Sequence, residues 1–349
     1  MIGAGVRVFR AGRASLLFRP RVVLVCLILI AVGGLIAVML LGTGSLPLSP
    51  AQVVAGLTGH ADDPIVTRVL QRIRLPRVLT AAMVGAALGM AGAVFQSLSR
   101  NALGSPDIIG FTTGAATGAI AQIILFNAGA FHVAMAAILS GLVTACVVLL
   151  LSRRGVQGGG YRLILVGIGI GAILTGINNM IMVMGNLDRA MSAQIWLAGS
   201  LNARSWSHVW PALTGLAVFA PMIVLNARRL HMLELGEEMA RQLGLRIGRT
   251  RLILVLAAVG LTSVATASAG PIAFIALAGP QIARRLTRAP APPLVSGALT
   301  GAVLLLIADL SSQRAPFDLV LPIGVMTGFA GGLYLIWLLV VANPTGGRS

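Results

Sequence analysis

Residues 226–251 read NARRLHMLELGEEMARQLGLRIGRTR, the longest strongly charged interruption in an otherwise apolar chain. The stretch holds Glu234, Glu237 and Glu238, three of the nine acidic residues, together with six arginines. Apolar runs long enough to cross a bilayer flank it on both sides, so it is a polar docking surface carried by a membrane protein. Within it, Leu235, Met239, Leu243 and Leu245 fall near one face of a short helix over 235–244, and Gly244 suits a C-terminal cap. Spacing alone also fits a solvated loop helix with no partner.

Composition narrows the class independently. Hydrophobic residues make up 57% of the chain and charged ones 10%, far below the roughly 25% of a soluble domain, so the chain must sit in lipid. The net charge of +17 could suggest nucleic acid, but the basic residues are confined to short segments between apolar runs. That is the positive-inside distribution, not a basic groove, and nucleic acid is excluded as a partner. All 26 Lys-or-Arg positions are arginine. Without lysine there is neither a P-loop lysine nor a Schiff-base lysine, so the chain is not itself an ordinary P-loop ATPase or a pyridoxal enzyme. Cys26 and Cys146 each lie inside an apolar run, where a small buried thiol is the simplest reading.

At the N-terminus, residues 1–21 carry five arginines and no acid, followed by an apolar run over 22–41. That run is longer than the ~7–15 residues of a signal peptide's apolar region, which predicts an uncleaved first helix with a cytoplasmic N-terminus. Beyond it, Ser49-Pro50 can start a short surface helix over 51–57, and Asp62-Asp63-Pro64 breaks the chain again. Further apolar runs cover 78–97, 108–127, 131–151, 162–184 and 208–225, with a polar outer segment at 185–207. The stretch 252–283 is too long for one untilted crossing of a ~30 Å core and too short for two ordinary helices. Arg246, Arg249 and Arg251 precede it and Arg284, Arg285 and Arg288 follow it; both clusters prefer the cytoplasm. The chain is therefore expected to cross twice, turning near Ala269-Gly270-Pro271. Runs at 292–311 and 318–342 bring the expected total to ten helices. This scheme puts 19 arginines inside and leaves Arg68, Arg72, Arg74, Arg77, Arg189, Arg204 and Arg314 outside.

The external arginines run against the insertion rule. Arg72, Arg74 and Arg77 cluster at the mouth of the second helix, and Arg314 sits in another outer loop. Forked guanidinium groups on a rim suit an acidic protein docking from outside; snorkelling interfacial anchors are the other reading. Intramembrane carboxylates are nearly absent. Asp309 is the one candidate for ion coupling, and its place near a helix end suits a local pair or cap instead. Gly167, Gly169 and Gly171 imitate a truncated dinucleotide loop but lie inside an apolar helix, where close packing explains them. Gly158, Gly159 and Gly160 read as a flexible turn. Asn178, Asn179, Met180, Met182 and Met184 could face a substrate path or simply fill the core. His60, His132, His208 and His231 are scattered, so neither a metal site nor a nucleophile–base pair is visible.

The motifs RLPR at 74–77, GAALG at 85–89, FQSL at 95–98 and NALGSPDIIGF at 101–111 resemble the iron-siderophore and vitamin B12 importer permeases of the ABC class, the FecCD type. GE at 236–237, ARQLG at 240–244, AGPIAFI at 269–275, IARR at 282–285 and LPIGV at 321–325 match as well, and the resemblance covers about residues 20–342. Residues 95–98 and 105–107 resemble the ferric-enterobactin branch. Two positions depart: Ala102 stands where the family often has proline, and Gln281 where it often has histidine.

The resemblance implies an all-α polytopic membrane protein of about ten transmembrane helices, similar to the vitamin B12 importer permease of the type II ABC importers. Residues 1–21 would be a cytoplasmic basic N-terminus, 22–342 the ten-helix permease domain with 226–251 as its cytoplasmic coupling loop, and 343–349 a cytoplasmic tail. It implies a second permease subunit, identical or paralogous, two ATP-binding subunits, an extracytoplasmic substrate-binding protein and ferric siderophore as cargo, in the bacterial cytoplasmic (inner) membrane. Leu235, Gly236, Glu237, Ala240, Arg241, Leu243 and Gly244 would couple to the ATPase. Arg74, Arg77 and Arg314 would dock the binding protein. Asn101 and Leu103 would form a cytoplasmic gate, with a second gate at Gly160 and Tyr161, which lacks the small hydroxyl residues of the vitamin B12 relative. No cofactor or metal is expected on this chain; ATP and Mg belong to the partner ATPase, and the permease is not an enzyme. Vitamin B12, haem or another metal chelate is the alternative cargo, and an ion-coupled secondary carrier the alternative machine.

Overall fold

The computed structural model describes residues 7–11, 14–44, 46–60, 63–152, 159–314 and 321–342. Among the described residues all regular structure is helical apart from a two-stranded antiparallel hairpin, β1 (Arg7–Ala11) and β2 (Ala14–Phe18), paired from Arg7 with Phe18 to Ala11 with Ala14. The hairpin lies within the basic segment that precedes the first membrane helix.

Helix α1 (Pro20–Gly42) starts on Pro20, whose fixed φ suits a first helical turn. Short helices α2 (Pro50–Thr58) and α3 (Pro64–Val69) then occupy one end of the molecule. Ser49 and Gln52 form a reciprocal capping box on α2, and the Asp63 carboxylate caps α3, so both starts follow from local side-chain chemistry. A π-turn over Leu70–Arg74 leads into α4 (Leu75–Ser99). There follow α5 (Phe111–Phe126), α6 (Ala130–Ser152), α7 (Gly159–Met184), α8 (Leu187–Leu197) and α9 (Trp206–Leu225). The charged stretch forms α10 (Ala227–Glu234) and α11 (Glu237–Gln242), and the chain finishes with α12 (Ile247–Ala269), α13 (Ile275–Thr287), α14 (Leu294–Gln313) and α15 (Ile323–Ala342).

Among the described residues, seven helices are long and apolar enough to cross a membrane, so the expected count of about ten is an overcount. The difference of three lies in length: α5 has 16 residues and α13 only 13, reaching roughly 24 and 20 Å at ~1.5 Å per residue, and α15 counts only over Ile323–Ile336. The expected reversal after Ala269 is present, because α12 ends there and α13 begins at Ile275. Two ion pairs bring the start of α12 and the end of α13 to the same end of the molecule: Arg251 with Glu237, and Arg284 with Glu234. Arg21 at the start of α1 joins that end by donating to the Leu286 carbonyl at 2.9 Å.

The core is built around α4. Its most apolar stretch is 78% buried, against 83% for α12, whereas α1 buries only Leu29, Ile36, Leu40 and Leu41. Gly85 and Gly89 of α4 lie against Gly301 and Gly297 of α14, backbone to backbone, while any side chain at Gly92 would collide with the Ala276 carbonyl of α13. Lipid tails are as apolar as leucine, so helices associate through such close van der Waals contact and small residues take the seam. Gly92→Leu is expected to overpack this seam at a cost of about 1–3 kcal/mol or more, read as a lower apparent Tm and a smaller monodisperse fraction in detergent.

Candidate functional site

The charged stretch forms a projecting elbow. The helix expected over 235–244 is present as α11, shortened to Glu237–Gln242, and it is set off from α10 by Gly236, which adopts φ +117° and ψ 150°, a region open only to glycine. Gly244 takes φ +79° just past α11, as a C-terminal cap requires. Ala240 is fully buried against the body of the protein, whereas Leu235, Met239 and Leu243 are 62%, 51% and 59% exposed. The elbow is braced from behind: Glu237 pairs with Arg251 of α12, and Glu234 accepts from Arg284 of α13 at 2.8 Å. Arg241 is exposed beside the apolar residues. An open apolar surface on a braced, charged mount can seat in a groove of another polypeptide and carry its movement.

The loop between α4 and α5 lies at the same end. Asn101 and Leu103 are both exposed, and the Asn101 Oδ1 accepts from the Leu103 backbone at 2.9 Å, forming a tight turn. Gln281 of α13 donates to the Ala102 carbonyl at 2.7 Å. Gly160 and Tyr161 fall in the first turn of α7, but their side chains lie outside the described residues, as do residues 1–6, 153–158 and 343–349.

At the opposite end the arginines divide. Arg74 is not on an open rim: it is only 8% exposed and donates to the carbonyls of Leu41 and Leu46, sealing the chain after α1 onto α4. Arg77 is also turned inward, gripping Asp309 of α14 through Nε at 3.1 Å and Nη2 at 2.6 Å. Asp309 is fully buried, and its main partner is therefore a residue 232 positions away, with Gln313 adding a local bond at 3.1 Å. Both charges face inward because a guanidinium near lipid gains more from carbonyls and a carboxylate than from a half-dry surface. Arg314 is exposed as expected, within 3.4 Å of the Thr43 hydroxyl, and Arg68 and Arg72 are exposed as well. Arg72 lines a cleft with Gln71, Ser205 and Trp206, whose indole donates to the Gln71 carbonyl at 3.0 Å.

The structure also assembles a largely apolar cavity with a polar patch that residue patterns did not single out as a unit. It has a volume of about 480 Å³ and is lined by Asp107, Thr112, Thr175, Asn178, Asn179 and Pro271 among others. Thr112 donates to Asp107 Oδ1 at 2.6 Å, while Asp107 Oδ2 and Asn178 Oδ1 are buried with no hydrogen-bond partner among the described residues. Asn178 and Asn179 were the sequence signal for it; Asp107 gave none, since it sits in a loop whose return toward α7 is a tertiary fact. Met180 and Met184 are 69% and 65% exposed, so they do not fill the core. No group of three or more His, Cys, Asp or Glu able to hold a metal occurs among the described residues.

Comparison with known proteins follows the same lines. Residues 25–341 match the FecCD transport family. The chain is 42% identical over 321 residues to the ferric enterobactin transport system permease protein FepG of Escherichia coli (strain K12), covering 92% of this chain and 96% of that one. It is 35% identical over 324 residues to the Fe(3+)-citrate import system permease protein YfmE of Bacillus subtilis (strain 168), covering 92% and 96%. Its fold matches a solved metal-chelate type ABC transporter in an inward-facing conformation with a TM-score of 0.81 at 27% identity, covering 90% of this chain and 98% of that one.

The buried pair is testable alone. Asp309→Ala leaves Arg77 without its carboxylate and is expected to cost about 3–5 kcal/mol, whereas the double change Asp309→Leu with Arg77→Met should recover most of the thermal stability. Equal loss in both variants would show that the pair is not the source.

Proposed function

The chain belongs to the FecCD transport family, and we propose that it is the membrane-embedded permease subunit of an ATP-driven importer that carries a ferric siderophore across the bacterial cytoplasmic (inner) membrane. The family match over residues 25–341 carries this reading, and the apolar surface left open on α11 supports its mechanical half. The chain itself makes and breaks no covalent bond; ATP and Mg would be bound by two partner ATPase subunits. A second permease, identical or paralogous, would complete the path, and an extracytoplasmic binding protein would deliver the cargo and set its identity. The arginine distribution favours cytoplasmic N- and C-termini, with α10 and α11 on the cytoplasmic face.

Closure of the ATPases on ATP would move α11 as a rigid body, because Leu235, Met239 and Leu243 are seated outward while Ala240 and the Glu237–Arg251 and Glu234–Arg284 pairs hold the elbow to α12 and α13. On the outer face Arg74 and Arg77 are committed to internal bonds, so docking of an acidic binding protein falls to Arg314 together with Arg72 and Arg68. The largely apolar cavity beside Asp107 and Asn178 supports a weakly binding path wall. Vitamin B12, haem or another metal chelate would use the same machinery, with the binding protein as the deciding component.

Two experiments test the reading. Met239→Asp with Leu243→Asp changes only exposed side chains and should leave the permease folded while cutting ATPase co-purification at least tenfold; unchanged association would remove α11 as the coupling element. Arg72→Glu with Arg314→Glu should weaken binding-protein capture in a low-salt pull-down, and undiminished capture would leave these arginines as interfacial anchors.

A further inference from the structure

Helix α13 is bonded to four separate parts of the molecule. Leu277, Gln281 and Arg284 stand at i, i+4 and i+7 and so share a face. The Leu277 carbonyl accepts from Gln96 Nε2 of α4 at 2.9 Å. Gln281 Nε2 donates to the Ala102 carbonyl in the loop between α4 and α5 at 2.7 Å, and its Oε1 lies 3.5 Å from the Tyr334 hydroxyl of α15. Arg284 Nη2 donates to Glu234, the last residue of α10, at 2.8 Å. The elbow that carries α11 and the loop that carries Asn101 and Leu103 are thus tied to one helix, less than one turn apart, on the segment that follows Pro280.

Two further observations give the Gln281 bond its weight. Among the described residues no backbone N–H bonds the Ala102 carbonyl, so this loop peptide is held by a side chain and not by secondary structure. A cavity of about 410 Å³, lined by Gln96, Arg100, Asn101, Glu234, Gln281 and Arg284, opens between the loop, the elbow and α13. The loop therefore has space to move into while one amide keeps it in step with α13.

We propose that Gln281 is a positioning residue that links the 101–103 turn to α13, so that displacement of the α10–α11 elbow reaches the turn through the Glu234–Arg284 pair, the α13 rod and the Gln281 amide. This rests on the reading of α11 as the ATPase-coupling element. An amide does this where an apolar residue of equal length cannot, because only a donor holds the carbonyl.

The test uses the full complex of permease, ATPases and binding protein in nanodiscs, with hydrogen–deuterium exchange of peptides covering residues 100–110 followed with and without a non-hydrolysable ATP analogue. The parent should show at least a threefold nucleotide-dependent change in exchange rate over this loop. Gln281→Met, equal in length but without a donor, should lose that dependence while ATPase co-purification stays within twofold; Gln281→His, which restores a donor, should regain it. Nucleotide dependence that survives in Gln281→Met, or that fails to return in Gln281→His, overturns the proposal. If Gln281→Met does not assemble, Gln281→Leu, which also lacks a donor, takes its place, and failure of both to assemble assigns the residue to folding and likewise overturns it. A parent whose loop ignores nucleotide while its ATPases remain bound also defeats the link. A parent that binds no ATPase at all defeats the functional reading beneath it.

Discussion

Close approach of α4 to α14 and α13 is the constraint on which the rest of the architecture depends. Inside a bilayer there is no hydrophobic gain in moving an apolar surface from lipid to protein, so association rests on contact density and on polar groups that find partners. Glycines 85 and 89 against 301 and 297 let two backbones touch, and Gly92 does the same against Ala276. These contacts bury α4 from several sides and leave α1 mostly exposed.

Charge is then distributed to the two ends, with a different use at each. Where α10 and α11 lie, ion pairs Glu237–Arg251 and Glu234–Arg284 brace a mount whose outward apolar side chains stay open. At the other end Arg74 and Arg77 are consumed in holding α1, α4 and α14 together. A cation that looks surplus in sequence is there a structural fastener, because a carbonyl cluster or a buried carboxylate is a better environment for guanidinium than the edge of the lipid.

Helix α13 connects these themes. It is too short to be a full span, yet it packs on α4 and α14, carries half of an ion pair at its end and holds the loop after α4 through Gln281. The largely apolar cavity beside Asp107 and Asn178 shows a parallel economy, since its lining comes from separate elements and no one of them is conspicuously polar.

The amino-acid sequence by itself determined the class, the apolar runs, the reversal after Ala269, the helix start at Ser49, the cap at Gly244, and the polar stretch at 226–251; Asp62-Asp63-Pro64 reads only as a break, where Asp63 instead caps α3. All of these are set by local length, composition and backbone preference. Tertiary structure alone decided that α5 and α13 are short, that the charged stretch splits at Gly236, that α8 forms within the segment read as polar and outer, and that Arg74 and Arg77 face inward. It also chose the partners of Asp309, Glu234 and Gln281. The physical reason is that in lipid an apolar side chain is equally at home against a tail or a neighbouring helix. The residue pattern therefore marks which segments enter the membrane but not which faces meet, and contacts between residues about 50 to 232 positions apart are fixed only when the helices pack.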